Sequence, residues 1–169
     1  MHENVYRRGR IGDAVIGPFP RWAALYTARV ELSVDLLPHE PPMRLVEQIA
    51  DLVPGVSARC RRPTTAEDWF FRGHFPGNPV VPAIVLIELL AQTGGLAAGA
   101  VEALAGRPVQ LRVAGVGPFK FPAGATSGHM LEASARVAGH FGALYKIEGE
   151  VTADGRVVAA GSVTLADWR

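Results

Sequence analysis

Residues 80–104 read VVPAIVLIELLAQTGGLAAGAVEAL, a run of apolar and small side chains interrupted in its first half by Glu88 and Gln92. Pro82 suits a helix start, because a residue near the first turn has no intrahelical use for its missing N–H. Gly106 suits the stop. About 20 apolar residues also suffice to cross a bilayer. An ionisable Glu88 near the centre and the pair Gly94-Gly95 argue against a lipid-exposed span, so the stretch reads as a helix buried within a globule, with a polar face formed by Glu88 and, four residues on, Gln92.

The flanks alternate with a period of two. Leu131, Ala133, Ala135 and Val137 alternate with polar side chains, as do Tyr145, Ile147 and Val151. Both are half-buried strand patterns. Asp154-Gly155 then marks a tight hairpin turn, and residues 156–165 form its second arm. Upstream, Pro54-Gly55 separates 45–52 from 56–61 as a second hairpin, and 110–116 adds another strand. Residues 26–36 fit a strand before Val34 and a short helical turn after it. One long apolar helix with five or six antiparallel strands predicts an α+β fold in which the sheet wraps the helix. Pairing of two chains edge to edge would cover the exposed strand.

Composition sets outer limits. At 169 residues and 49% apolar content, one packed domain is expected. A formal charge of +1 provides no global field for nucleic acid or an anionic membrane. Arg61, Arg62 and the cluster Arg7, Arg8 and Arg10 are local basic runs of the kind that solvated surfaces carry. Cys60, the single cysteine, lies in a strand pattern and reads as a packing residue in a reducing compartment, the cytoplasm. The first fifteen residues lack the apolar core of a signal peptide.

The chemistry concentrates in FRGHFPGNPVVPAIVLIELLAQTGG, Phe71 to Gly95, where a histidine in a Gly/Pro-rich loop precedes by fourteen residues a glutamate on an apolar helix. His74 alone is more often a loop or core histidine making one hydrogen bond than a catalytic group. Glu88 is less easily explained as packing, because buried carboxylates are rare unless paired or functional. Gln92 lies within reach of that carboxyl or of a neighbouring loop.

The run GHFPGNPVVPAIVLIELLAQ resembles the signature of FabZ-type 3-hydroxyacyl-acyl carrier protein dehydratases, with its GHFPG loop, P-x-x-P spacing and E-x-x-A-Q helix. LLPHEPPMRLVEQI (36–49) and GVGPFKFP (115–122) are similar to the segments that flank it in that family. The resemblance runs from residue 36 to about 167 and leaves 1–35 as an N-terminal extension to a single domain, 36–169. It implies a hot-dog fold and a homodimer, with a tetramer or a trimer of dimers left open. In the implied site, His74 of one protomer, the base, faces Glu88 of the other, the acid. The backbone amides of Ala83 and Ile84 would take the thioester carbonyl, with Gln92, Phe75 and Gly77 in support. Glu at position 88 resembles the dehydratases that stop at the trans-2-enoyl product, whereas the dehydratase-isomerases of the FabA type usually carry Asp.

Elimination of water needs a base for the α proton and an acid for the departing hydroxyl. Imidazole suits the first role, and a carboxyl kept protonated by an apolar environment suits the second. The free N–H groups at a helix start suit the developing oxyanion. Leu86, Leu89 and Leu90 are candidate walls of an acyl tunnel, or plain core. Arg61, Arg62 and Lys120 are candidate docking cations for acyl carrier protein, with coenzyme A thioesters as the other carrier. No metal or cofactor is implied. Three departures from the family pattern bear on substrate choice: Ala83 where Gly is usual, HEPPM (39–43), and Ala125-Thr126-Ser127 where a Pro-Gly-Asp turn is usual. The alternatives are a hot-dog acyl thioesterase using Glu88 to activate water, and a non-catalytic acyl-binding subunit that has no need of the pair.

Overall fold

In the computed structural model, residues 9–11, 14–16, 33–107 and 110–168 are described. The chain divides into two compact units, 1–31 and 32–169. In the first, β1 (Gly9–Ile11) pairs antiparallel with β2 (Ala14–Ile16). The second unit carries β3 (Gln48–Val53), β4 (Ser57–Pro63), the helix α1 (Ala83–Leu104), β5 (Leu111–Lys120), β6 (Met130–Phe141), β7 (Leu144–Ala153) and β8 (Arg156–Asp167). Of the segment 26–36, residues 26–32 lie outside the described ones, and Val34–Leu36 is one turn of 3₁₀ helix, as the helical half of that reading expected.

The six strands form one antiparallel sheet in the order β3-β4-β6-β7-β8-β5, which leaves β3 and β5 at its edges. Alternation decides which face each strand buries. Leu131, Ala133 and Ala135 of β6, Ile147 and Val151 of β7, and Val163 and Leu165 of β8 all point into the core beneath α1. On the opposite face, directly opposed residues pair as ions: Arg61 with Glu132 at 2.6 Å across β4 and β6, and Arg136 with Glu148 across β6 and β7.

The hairpins turn where the sequence placed them. Val56 N–H closes on Val53 carbonyl at 2.9 Å around Pro54-Gly55. Asp154 and Gly155 both take positive φ, 47° and 84°, as the tight turn requires. The first strand is shorter than the 45–52 expected, for a specific reason. The N–H groups of Leu45 and Val46 donate to Gln92 Oε1, at 2.8 and 3.4 Å, rather than to a neighbouring strand, so ladder pairing starts at Gln48.

Helix α1 begins at Ala83, with Pro82 capping it rather than occupying its first turn, and ends before Gly106 at φ 75°. It is long and apolar enough to cross a membrane by composition, but most of it is buried against the sheet. Gly94 is the point of closest approach. A methyl group there would lie 2.4 Å from Ile147 Cγ2, so the helix sits on β7 only because position 94 has no side chain. The adjacent Gly95 faces the other way, with no atom within 4 Å of the place a methyl would occupy. Cys60 is fully buried, and burial pushes its thiol up to about 12, against a smaller opposing hydrogen bond with Thr93. A thiol so protonated is no nucleophile at neutral pH, which agrees with its reading as packing.

Candidate active site

The loop 72–80 is shaped by positive φ at Gly73, Phe75 and Gly77 (76°, 51° and 90°) and by Asn78 N–H bonding Phe75 carbonyl at 2.9 Å. For a bulky residue such as Phe75 a left-handed backbone costs about 1–2 kcal/mol, strain of a kind found where a loop is shaped for a task. The loop presents His74 half-buried, its ring centre 4.5 Å from that of Phe75. His74 Nδ1 lies 2.9 Å from the carbonyl of Val80. A carbonyl only accepts, so Nδ1 carries the hydrogen and the neutral ring keeps its lone pair on Nε2.

Glu88 sits one turn and a half into α1. Its carboxyl accepts from Gln92 Nε2 at 2.8 Å and lies 3.8 Å from His39 Nε2. Gln92 is only 2% exposed and uses every hydrogen-bonding group it has. Its carbonyl takes Leu45 and Val46 N–H, and its amino group reaches Met43 carbonyl at 2.7 Å as well as Glu88. Both partners expected for Gln92, the carboxyl and a loop, are therefore real. A pocket of ≈ 280 Å³ opens beside Glu88, walled by His39, Ala91, Gln92 and Gly95, with Leu111 and Leu165 on the sheet side.

Two expectations need correction, and one open alternative is decided. Glu88 is not buried within one chain: its side chain is 28% exposed where α1 borders the pocket, and Gly95, two turns on, is likewise only partly covered, whereas Gln92 and Gly99 between and beyond them are buried. Leu86, Leu89 and Leu90 do not line that pocket. They lie on the sheet-facing side of α1, 0–3% exposed, and are core. Arg62, read with Arg61 as a local basic patch, is not at the surface. Its side chain is 9% exposed, bonded to Asp68, to Glu47 at 3.0 Å and to Leu45 carbonyl at 3.3 Å, and its guanidinium lies 5.5 Å from the centre of the Phe70 ring. Arg61 faces outward with its charge shared with Glu132, and Lys120 is exposed at the end of β5.

His74 and Glu88 make no contact within the chain, and His74 does not line the pocket beside Glu88. Ala83 and Ile84 are exposed, and the helical bonding starts with Val85 and Leu86 N–H to Pro82 carbonyl, which leaves their own N–H groups outside the ladder. Among the described residues no cluster of His, Cys, Asp or Glu could hold a metal ion. His39 is the group the sequence reading passed over: it flanks Glu88 from a segment 49 residues away in the chain, and no periodic pattern reports such a contact.

An antiparallel sheet wrapped on one long helix, with a polar helix face open to a pocket, defines a hot-dog-fold protein. Among solved structures, the chain is similar to the dehydratase heterocomplex ApeI:P from Xenorhabdus doucetiae (TM-score 0.71, 21% identity, covering 82% of this chain and 92% of that one). It is also similar to a mutant of the phenylacetic acid degradation protein PaaI from Thermus thermophilus (TM-score 0.55, 18% identity, 76% and 100% covered). The chain belongs to the FabA-like family, whose domain profile matches residues 37–162. Its relatives there include the 3-hydroxyacyl-acyl-carrier-protein dehydratases FabZ of Cereibacter sphaeroides, 32% identical over 80% of this chain and 88% of the relative, and of Myxococcus xanthus, 34% identical over 76% and 84%.

Proposed function

We propose that the chain dehydrates 3-hydroxyacyl thioesters on acyl carrier protein to trans-2-enoyl thioesters, with His74 of one protomer as base and Glu88 of its partner as acid. Dehydratase chemistry accords with family membership; the residue roles and the shared site are the proposal. The observation that carries it is the separation of two complementary groups. His74 has its Nδ1–H fixed on Val80 and Nε2 free, whereas Glu88 stands at a pocket with one oxygen held by Gln92, and neither has a reacting partner in its own chain. A second chain supplies what each lacks. Support for a dimer comes from β5, a ten-residue edge strand with Val113 and Val116 exposed, the kind of edge that soluble proteins cover.

In the reaction His74 Nε2 takes the proton α to the carbonyl, and the electron pair of that C–H bond becomes the new C=C π bond. The C–O bond at the β carbon breaks as Glu88 gives its proton to the hydroxyl, which leaves as water. The N–H groups of Ala83 and Ile84 face the charge that develops on the thioester oxygen, each donor worth roughly 3 kcal/mol in the transition state. Glu88, half-exposed in one chain, acts as an acid only once the partner covers it, which makes the dimer the catalytic unit. The carrier is met by exposed cations such as Lys120, and Arg62 has no part in it.

The acyl chain is placed along the open face of α1, over Gly95. A Gly95→Val variant, filling space that is empty, is expected to lower kcat/KM for long 3-hydroxyacyl chains at least tenfold while leaving short ones within about threefold, on the scale of one to two lost methylene contacts. Equal effects at all lengths would place the chain elsewhere. Incubation with 3-hydroxyacyl-acyl carrier protein should yield enoyl thioester without free thiol. Thiol release without the enoyl product would make the protein a thioesterase.

A further inference from the structure

Glu88 has two oxygens, and its surroundings treat them differently. Gln92 cannot be turned around: Leu45 and Val46 N–H occupy its carbonyl and Met43 carbonyl faces its amino group, so only the amino group can point at Glu88. Oε1 of Glu88 is therefore an acceptor, and the proton of the neutral acid resides on Oε2. The same Oε1 is approached by His39 Nε2 at 3.8 Å. His39 Nδ1 is buried with no partner among the described residues, so the ring has one working nitrogen, and it faces Glu88.

We propose that His39 is a positioning residue for this acid: its Nε2–H, with Gln92 Nε2–H, forms a two-donor seat for Oε1 and leaves Oε2 to deliver the proton. The inference rests on Glu88 being the acid. When the proton leaves Oε2 for the departing hydroxyl, negative charge appears on the carboxyl, and both donors meet it. A gap of 3.8 Å is too long for a hydrogen bond, but catalytic contacts in unliganded enzymes often tighten once substrate and partner are in place. The segment that carries His39 is held beside α1: Gln92 bonds Met43, Leu45 and Val46, Trp69 Nε1 donates to Pro42 carbonyl at 3.2 Å, and Arg44 N–H donates to Glu40 carbonyl at 2.8 Å. The other titratable side chain at this pocket is Arg112 on β5; Glu88 is the one titratable group that α1 gives to the lining, and β8 gives only the apolar Leu165.

The test is a kinetic comparison of His39→Leu and His39→Gln in the full-length protein, with dehydration of a 3-hydroxyacyl thioester as the readout. Gln carries an N–H donor close to where Nε2 of His lies, and Leu carries none. Loss of a partner that orients a reacting group typically costs 10–100-fold. His39→Leu should lower kcat by that factor with KM within about threefold, and His39→Gln should recover most of the loss. Should His39→Leu not fold, His39→Phe keeps the ring and removes the donor. Equal losses in the Gln and donor-free variants, a change confined to KM, or unchanged kcat would each overturn the assignment. If Glu88→Gln is itself fully active, the acid reading fails instead, so the two failures are distinguishable.

Discussion

Replacing Glu88 with Gln should lower kcat for dehydration by about 10²–10⁴-fold, and His74→Ala should do the same, because each removes one of two proton transfers that contribute on that scale. Gln keeps the shape of Glu and can still pair with Gln92, so the folded protein and its KM should be little changed. The two losses should also fail to multiply: the double variant should be about as inactive as either single one, since half of an acid/base pair does little alone. Rates within threefold of the wild type in either variant would remove that residue from the chemistry.

The second large effect concerns stability. Arg62→Leu should destabilise the protein by about 3–5 kcal/mol, because it leaves Asp68, 11% exposed, without its counter-charge and removes the bracket between the 45–47 segment and the turn Trp69–Phe71 that leads into the His74 loop. For a chain of this size, that corresponds to a fall in Tm of roughly 6–20 °C. Arg61→Leu, which removes only an outward-facing cross-strand pair, should cost about 1 kcal/mol or less. Calorimetry of the two variants side by side checks the contrast. Equal, small shifts would mean that Arg62 is as solvated as Arg61.

Those neighbouring arginines show where sequence reading stops. Charge alone made Arg61 and Arg62 one basic patch, yet the strand's period of two separates them: Ala58, Cys60 and Arg62 point inward and Arg59 and Arg61 outward. The signal was in the alternation and needed only to be applied to the charged residues too. Strands, turns and helix were legible because each has a local cause: alternation in β6 and β7, Pro-Gly and Asp-Gly at the turns, and a long run of apolar and small residues after Pro82 in α1. Glu88 is less buried than its apolar neighbours in the sequence imply, because the helix is buried through most of its middle but Ile87, Glu88 and Gly95 are only partly covered beside the pocket. His39 beside Glu88 was illegible for a different reason, as the contact joins two segments through Gln92 and is created by tertiary packing alone. The pairing of His74 with Glu88 came from likeness to a family, and the geometry adds the hydrogen on Nδ1 and the seat for Oε1.

A site shared between two chains is tested most directly by dehydration in mixed dimers in which one protomer carries His74→Ala and the other Glu88→Gln, made by co-expression with two different tags and isolated by both. Each parent variant is inactive, but the mixed dimer brings the intact His74 of one chain to the intact Glu88 of the other at one of its two sites. It should therefore form enoyl thioester at about half the wild-type rate per dimer. Mixed dimers as inactive as their parents would contradict a site built from both protomers.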